Sequence, residues 1–163
     1  MKTYVGVDPG ASGAIVALTP DGTIVYSEKF HDRGPKELYD IVHQVVQPLS
    51  HVCMELVTPS PPQDGPARRS GTLSMFNFGK NVGHLEVSVL TAVTDGRLRM
   101  VTPATWQKCF GLYGMGKMDR TTKKNIHKAK AIELFGTQGK AITHANADAL
   151  LIAEYCRRTT PNG

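Results

Sequence analysis

The stretch that decides the fold is Thr3-Tyr4-Val5-Gly6-Val7-Asp8-Pro9-Gly10-Ala11-Ser12-Gly13-Ala14-Ile15-Val16-Ala17-Leu18, followed by Thr19-Pro20-Asp21-Gly22-Thr23-Ile24-Val25-Tyr26-Ser27-Glu28-Lys29. Three strand-like runs, residues 3–7, 14–18 and 23–29, are separated by Asp8-Pro9-Gly10 and Pro20-Asp21-Gly22. Short Asp-Gly connections between apolar runs mark an antiparallel hairpin. The first 29 residues therefore predict a three-stranded meander.

Working outward, Leu38, Ile41, Val42, Val45, Val46 and Leu49 recur at helical spacing behind Pro35, a residue suited to a helix start. Residues 52–57 form a short strand, and a loop rich in proline and glycine spans 58–72. A long helix is predicted over 73–93, although Gly79 and Gly83 weaken its middle. A fifth strand covers 97–101, and Thr102-Pro103 suits the cap and first position of a short helix carrying Trp106 and Phe110. A glycine-rich stretch over 111–116 leads to a basic helix, and a last helix runs over 144–158. In compressed form the order is β-β-β-α-β-α-β-α-α, without internal repeats or a second-domain linker. A meander followed by α/β crossovers fits a mixed five-stranded sheet flanked by helices, the ribonuclease-H-like arrangement, as a single domain over 1–163. In that topology the first and fourth strands are parallel neighbours, and their C-terminal ends carry Asp8 and Glu55.

Length and composition agree with this. A chain of 163 residues buries roughly 70% of its unfolded surface, enough for a core without staples. Hydrophobic residues make up 40% and charged residues 20%, close to a soluble globular average. No apolar run approaches the ~20 residues of a spanning helix, and the first residues lack the pattern of a signal peptide. An intracellular, cytoplasmic protein is expected. Cys53, Cys109 and Cys156 are odd in number and far apart, so buried inert thiols are expected rather than a zinc site or disulfides. The net charge of +5 points toward an anionic partner. Lys117, Arg120, Lys123, Lys124, Lys128 and Lys130 concentrate it, with Asp119 the only acid among them. By itself such a run is as readily a solvated helix face.

Three acids stand where acids need a reason. Asp8 ends a strand, where turn chemistry is the competing explanation. Glu55 interrupts the apolar strand Val52-Cys53-Met54-Glu55-Leu56-Val57, where a charge is costly unless paired or bound to a cation; an edge strand with one wet face would also explain it. Asp148 precedes Leu151 and Ile152 by three and four residues, so it shares an apolar helix face, though an acid so near a helix start also suits capping. Hard divalent cations such as Mg²⁺ take oxygen ligands. Phosphodiester hydrolysis commonly uses two such ions about 3.5–4 Å apart. Asp8, on the central strand, suits the carboxylate that reaches both.

The sequence resembles the RuvC-type Holliday junction resolvases, and more closely their bacteriophage relatives. The resemblance rests on Val5-Gly6-Val7-Asp8-Pro9-Gly10 with Ser12-Gly13-Ala14, on Met54-Glu55-Leu56-Val57, on Ser74-Met75-Phe76-Asn77-Phe78-Gly79 continuing to Gly83, and on His144 through Tyr155. Weaker echoes lie at Val101 to Lys108 and Ala131 to Phe135. The ordered set spans nearly the whole chain. It implies Mg²⁺-dependent symmetric nicking of branched double-stranded DNA by a homodimer, with Mn²⁺ as a substitute metal, and a viral origin would put the enzyme in host cytoplasm. Asp8, Glu55 and Asp148 match the family's acids. The relatives' acid or histidine three residues before the last acid is Ala145 here, so His144 is the substitute fourth ligand or water-orienting base, with Asn146 a weaker candidate. Cutting two opposed strands suits two sites related by a two-fold axis, and the 73–93 helix offers an apolar face for a second copy.

For DNA contacts, Arg68 and Arg69 lie in the loop after Glu55, and Phe76, Phe78 and Lys80 open the next helix. An aromatic there could enter an opened junction; burial of both rings is the competing expectation. Beside the acids, Lys117, Arg120, Lys123, Lys124 and Lys128 become a phosphate surface that supplies affinity without reading sequence. Trp106 is expected as a core anchor. His127, like His31, His43, His51 and His84, is expected in surface or packing roles. The stretch from Gly111 to Lys117 has phosphate-loop spacing, but Met118 replaces the metal-binding Ser or Thr, so no nucleotide cofactor is expected. Actin-like ATPases also start with a strand, an acid and a glycine turn, but need two lobes. Two functions compete with junction cleavage on the same fold: a non-catalytic junction-binding module, and a nuclease acting on RNA–DNA hybrids.

Overall fold

The computed structural model describes residues 2–10, 12–57, 72–94, 97–114, 116 and 118–161. Strands β1 (Tyr4–Asp8), β2 (Ala14–Leu18) and β3 (Ile24–Lys29) form the meander; then come α1 (Pro35–Val45), β4 (His51–Glu55), α2 (Thr72–Ala92) and β5 (Leu98–Val101). All three helical stretches after β5 form, as α3 (Pro103–Cys109), α4 (Arg120–Phe135) and α5 (Ala147–Thr159), so the order ends in three helices rather than two. The sheet order is β3-β2-β1-β4-β5, with the meander antiparallel and β1, β4 and β5 parallel. This is the mixed five-stranded sheet flanked by helices expected from the sequence.

Period-two alternation assigns the two faces. Val5, Val7, Val52 and Met54 join Leu38, Val42, Leu85 and Val89 in a core beneath α1 and α2. Tyr4, Val16 and Cys53 face the other way, into a core with Trp106, Leu150, Ile152 and Ala153. Gly6 lies on that second face, and here glycine is a packing requirement. A Cβ at Gly6 would collide with the Ala149 carbonyl oxygen and the Ala153 amide, so the backbone of α5 rests directly on β1. Asp8 and Glu55 follow Gly6 and Cys53 at the same strand parity, and so lie on the side that α5 covers.

Local signals set several element ends. Thr102 Oγ1 accepts from the Thr105 amide and caps α3 ahead of Pro103. Asp119 caps α4 by accepting from the amides of Thr121 and Thr122. Cys53 and Cys156 are buried as expected, whereas Cys109 is exposed, because it ends the short α3 on the solvent side. Among the described residues no helix is long and apolar enough to cross a membrane.

Candidate active site

In the β1–β4 register Val7 pairs with Met54. The next residues, Asp8 and Glu55, thus leave adjacent strand ends side by side. Glu55 in turn pairs with Val101 at the end of β5, which starts α3 beside it and brings Trp106 within reach. Asp148 enters from above, in the first turn of α5, at a height fixed by the Gly6 contact. All three acids line one cleft of about 1100 Å³.

Each carboxylate is held by one protein donor. The Gly10 amide donates to Asp8 Oδ1 (3.0 Å), Trp106 Nε1 donates to Glu55 Oε2 (2.8 Å), and His127 Nδ1 lies 2.7 Å from Asp148 Oδ1. Among the described residues no donor engages the second oxygen of any of the three. Burial, and then the charge of Asp148, push the Asp8 carboxyl up to about 6, against the pull of the Gly10 amide and of Lys124 and Arg120. Glu55 is pushed up to about 7 by burial and by the charges of Asp8 and Asp148, with the Trp106 hydrogen bond acting in the opposite sense. The three acids therefore repel one another in a poorly solvated cleft.

The donor set fits a hard divalent cation: three carboxylates, each oriented by one hydrogen bond with one oxygen free, and mutual repulsion that a cation would relieve. As they are now turned, no three His, Cys, Asp or Glu side chains among the described residues converge closely enough to hold an ion. The side chains of Glu55 and Asp148 are drawn toward Trp106 and His127, respectively.

The cleft walls differ. On α4, Arg120, Lys123, Lys124 and His127 stand at spacings of three, four and seven residues, and all four line the cleft. On α2, Ser74, Asn77, Phe78 and Asn81 line it. Phe78 is half-buried at the cleft, while Phe76 is 67% exposed; neither ring is the fully buried core residue that ordinary helix packing would give. Lys80 is exposed and Lys128 half-buried, both away from the cleft lining, and Lys130 is paired with Glu133 at 2.6 Å. Arg68, Arg69 and Lys117 lie outside the described residues.

No family model matches the sequence, and no curated protein matches it. Solved structures do. A structure of RuvC from Thermus thermophilus superposes with a TM-score of 0.57 over 97% of this chain and 97% of that one, at 17% identity. The fold is RuvC-like. The RuvC-like fold accounts for the placement of Asp8 and Glu55 at neighbouring strand ends, as the sequence order predicts.

The expected fourth ligand does not join them. The predicted helix over 144–158 starts only at Ala147, and His144 lies in the turn before it, which the Ala147 amide closes by donating to the Thr143 carbonyl. His144 is exposed, and its Nε2 is 2.8 Å from Asn125 Oδ1. Asn146 is also engaged elsewhere, accepting from the Thr143 amide and donating to Ser27 Oγ and the Ala141 carbonyl. Trp106, buried in the core as expected, and His127, expected in a surface or packing role, hold two of the acids. Signals for both were present. A buried indole N–H needs an acceptor, and His127 continues the helical face of Arg120, Lys123 and Lys124.

Proposed function

We propose that this chain is a metal-dependent, structure-selective DNA endonuclease that resolves four-way junctions by paired, symmetric nicks. It would act as a single-domain crossover junction endodeoxyribonuclease of the RuvC type, close to the bacteriophage members and working in host cytoplasm. One observation carries the reading: three mutually repelling carboxylates on a cleft floor, facing a row of cations on α4. The acids alone would repel a phosphodiester; with divalent metal bound, the same floor attracts one.

Asp8, Glu55 and Asp148 would hold two Mg²⁺ ions, with Mn²⁺ able to substitute. Bound metal supplies a water nucleophile and stabilises charge on the phosphate and the leaving oxygen. The protein's own part is positional. Arg120, Lys123 and Lys124 line the wall where phosphates would lie, giving affinity that weakens with salt. Phe78 and the exposed Phe76 offer ring faces for bases unstacked at a branch point. Lys80 and Lys128 would extend the phosphate contacts beyond the cleft, and Arg68, Arg69 and Lys117 would add to them. Two strands cut symmetrically call for two sites, so the active form would be a homodimer.

The test is cleavage of a labelled four-way junction with and without Mg²⁺, against linear duplex and an RNA–DNA hybrid, with Asp8→Asn as control. Paired nicks near the branch point, lost without metal and reduced about 10³-fold in Asp8→Asn, are expected. Tight metal-independent junction binding without nicks would make the chain a binding module. Preferential cutting of the hybrid would reassign the substrate.

A further inference from the structure

We infer that Trp106 and His127 act as one positioning pair for the acidic site, Trp106 holding Glu55 and His127 holding Asp148. The inference rests on the metal-dependent reading above and adds residues to it.

Trp106 is 1% exposed, and the one polar atom of its side chain donates to Glu55 Oε2 at 2.8 Å. His127 is 6% exposed, with Nδ1 2.7 Å from Asp148 Oδ1. The two rings touch edge to face, their centroids 5.3 Å apart and their planes at 72°. A carboxylate only accepts hydrogen bonds, so in the contact with Asp148 it is His127 Nδ1 that donates. The other nitrogen, Nε2, is enclosed and has no hydrogen-bond partner among the described residues. Neither nitrogen is therefore presented to a substrate or an ion in the cleft, and His127 acts through Asp148.

The arrangement ties together side chains from four elements, with α5 packing on β4, α3 and α4. Glu55 ends β4 and Asp148 begins α5, whereas the two rings belong to α3 and α4. Because the rings pack on each other, rotation of either carboxylate away from its donor disturbs the shared contact. Each hydrogen bond engages one carboxylate oxygen and leaves the other without a donor among the described residues. Residues that orient a ligand in this way typically contribute about 10- to 100-fold to metal affinity. The same α4 face carries Arg120, Lys123 and Lys124, so a single helix would both set one acid and line the phosphate wall.

The experiment is Mn²⁺ binding to the whole chain by calorimetry and by electron paramagnetic resonance, without DNA. It compares wild type with His127→Ala, His127→Asn, Trp106→Phe, the His127→Ala/Trp106→Phe double variant and Asp8→Asn, with thermal melts to show that each is folded. Asn keeps a donor near the position of Nδ1, and Phe keeps a ring without the N–H. Wild type is expected to bind Mn²⁺ and Asp8→Asn to lose most of that binding. His127→Ala and Trp106→Phe should each weaken it by roughly 10- to 100-fold, and His127→Asn should recover most of the loss. The double variant should lose less than the product of the single losses, because the rings act as a unit. Wild-type affinity in folded His127→Ala or Trp106→Phe, or no recovery in His127→Asn, would overturn the pair while leaving the metal site standing. No Mn²⁺ binding by wild type would overturn the metal-dependent reading and the pair with it.

Discussion

Helices α5 and α2 both cover the sheet, one on each face, and they do so differently. From Ala149 to Ala153, α5 has no residue more than 1% exposed, and its backbone rests on Gly6 without an intervening side chain. Only the second half of α2 is seated, through Leu85, Ser88 and Val89, while Leu73, Met75 and Phe76 near its start are 72%, 51% and 67% exposed. The seated helix carries Asp148, which, if it holds metal as proposed, would have to stay in place to a fraction of an ångström. The projecting half carries rings and amides that line or flank the cleft, where the proposed DNA substrate would supply the missing contacts. Rigidity and uncovered apolar surface are thus divided between two helices.

The largest effect is expected at the contact that seats α5. Gly6→Val puts a branched side chain where the Ala149 carbonyl and Ala153 amide already lie, and backbone cannot yield as a flexible side chain can. Loss of more than ~3 kcal/mol is expected, measured as a fall in urea midpoint, with junction cleavage lost in parallel. A variant within ~1 kcal/mol of wild type would mean that α5 is not held at Gly6, and the contrast between the helices would fail.

Next come two truncations on α2. Leu85→Ala, in the seated half, removes a side chain that is 1% exposed and should cost about 2–5 kcal/mol of stability. Phe76→Ala, nine residues earlier, should leave the melt nearly unchanged. It should instead weaken junction binding by ~1–3 kcal/mol, read by fluorescence anisotropy, if a base stacks on the ring. Equal stability losses at both positions would show the first half of α2 to be covered after all.

This division explains which parts of the molecule could be read from the sequence. The strands and the two strand-end acids follow from alternation, turn residues and element order, while the proline- and glycine-rich stretch before α2 lies outside the described residues. Thr102-Pro103 likewise announces the start of α3. The true start of α5 was not legible, because the turn before it is held by Asn146, which accepts from the Thr143 amide and hydroxyl and donates to distant Ser27. The pairing of His127 with Asp148 and of Trp106 with Glu55 spans 21 and 51 residues, and spacing within one helix or strand carries no information about it.

The pH dependence sharpens the picture of the floor that α5 closes. Asp8 is raised from 3.8 to about 6, and Glu55 from 4.5 to about 7. The folded state therefore binds these protons more tightly than the unfolded chain. Their contribution to stability is fully present below about pH 4 and is lost as pH rises through about 6 and 7. In metal-free protein the melting temperature should fall across that window, and Asp8→Asn should remove much of the fall. Adding Mg²⁺ at pH 7.5 should raise the melting temperature in wild type, because the ion binds only the folded acids, and junction cleavage should rise between pH 6 and 7.5 as both carboxyls ionise. A flat metal-free profile would mean that neither burial nor mutual repulsion raises these carboxyls.

The smallest expected effect tests what lies against the free face of α2. A Cβ at Gly79 or Gly83 meets nothing within 4 Å among the described residues, in contrast to the collision at Gly6. Alanine in a helix interior is favoured over glycine by about 0.5–1 kcal/mol. Gly79→Ala and Gly83→Ala should therefore each raise stability by that amount if the face meets only solvent or DNA. The two glycines are four residues apart and lie in line with exposed Phe76, Val87 and Leu90, the side on which a second copy could approach closely. Loss of stability that deepens at higher protein concentration, together with a shift toward monomer in sedimentation, would mean that the glycines admit a partner helix. The proposed homodimer would then be built on the projecting helix, leaving α5 to the chemistry.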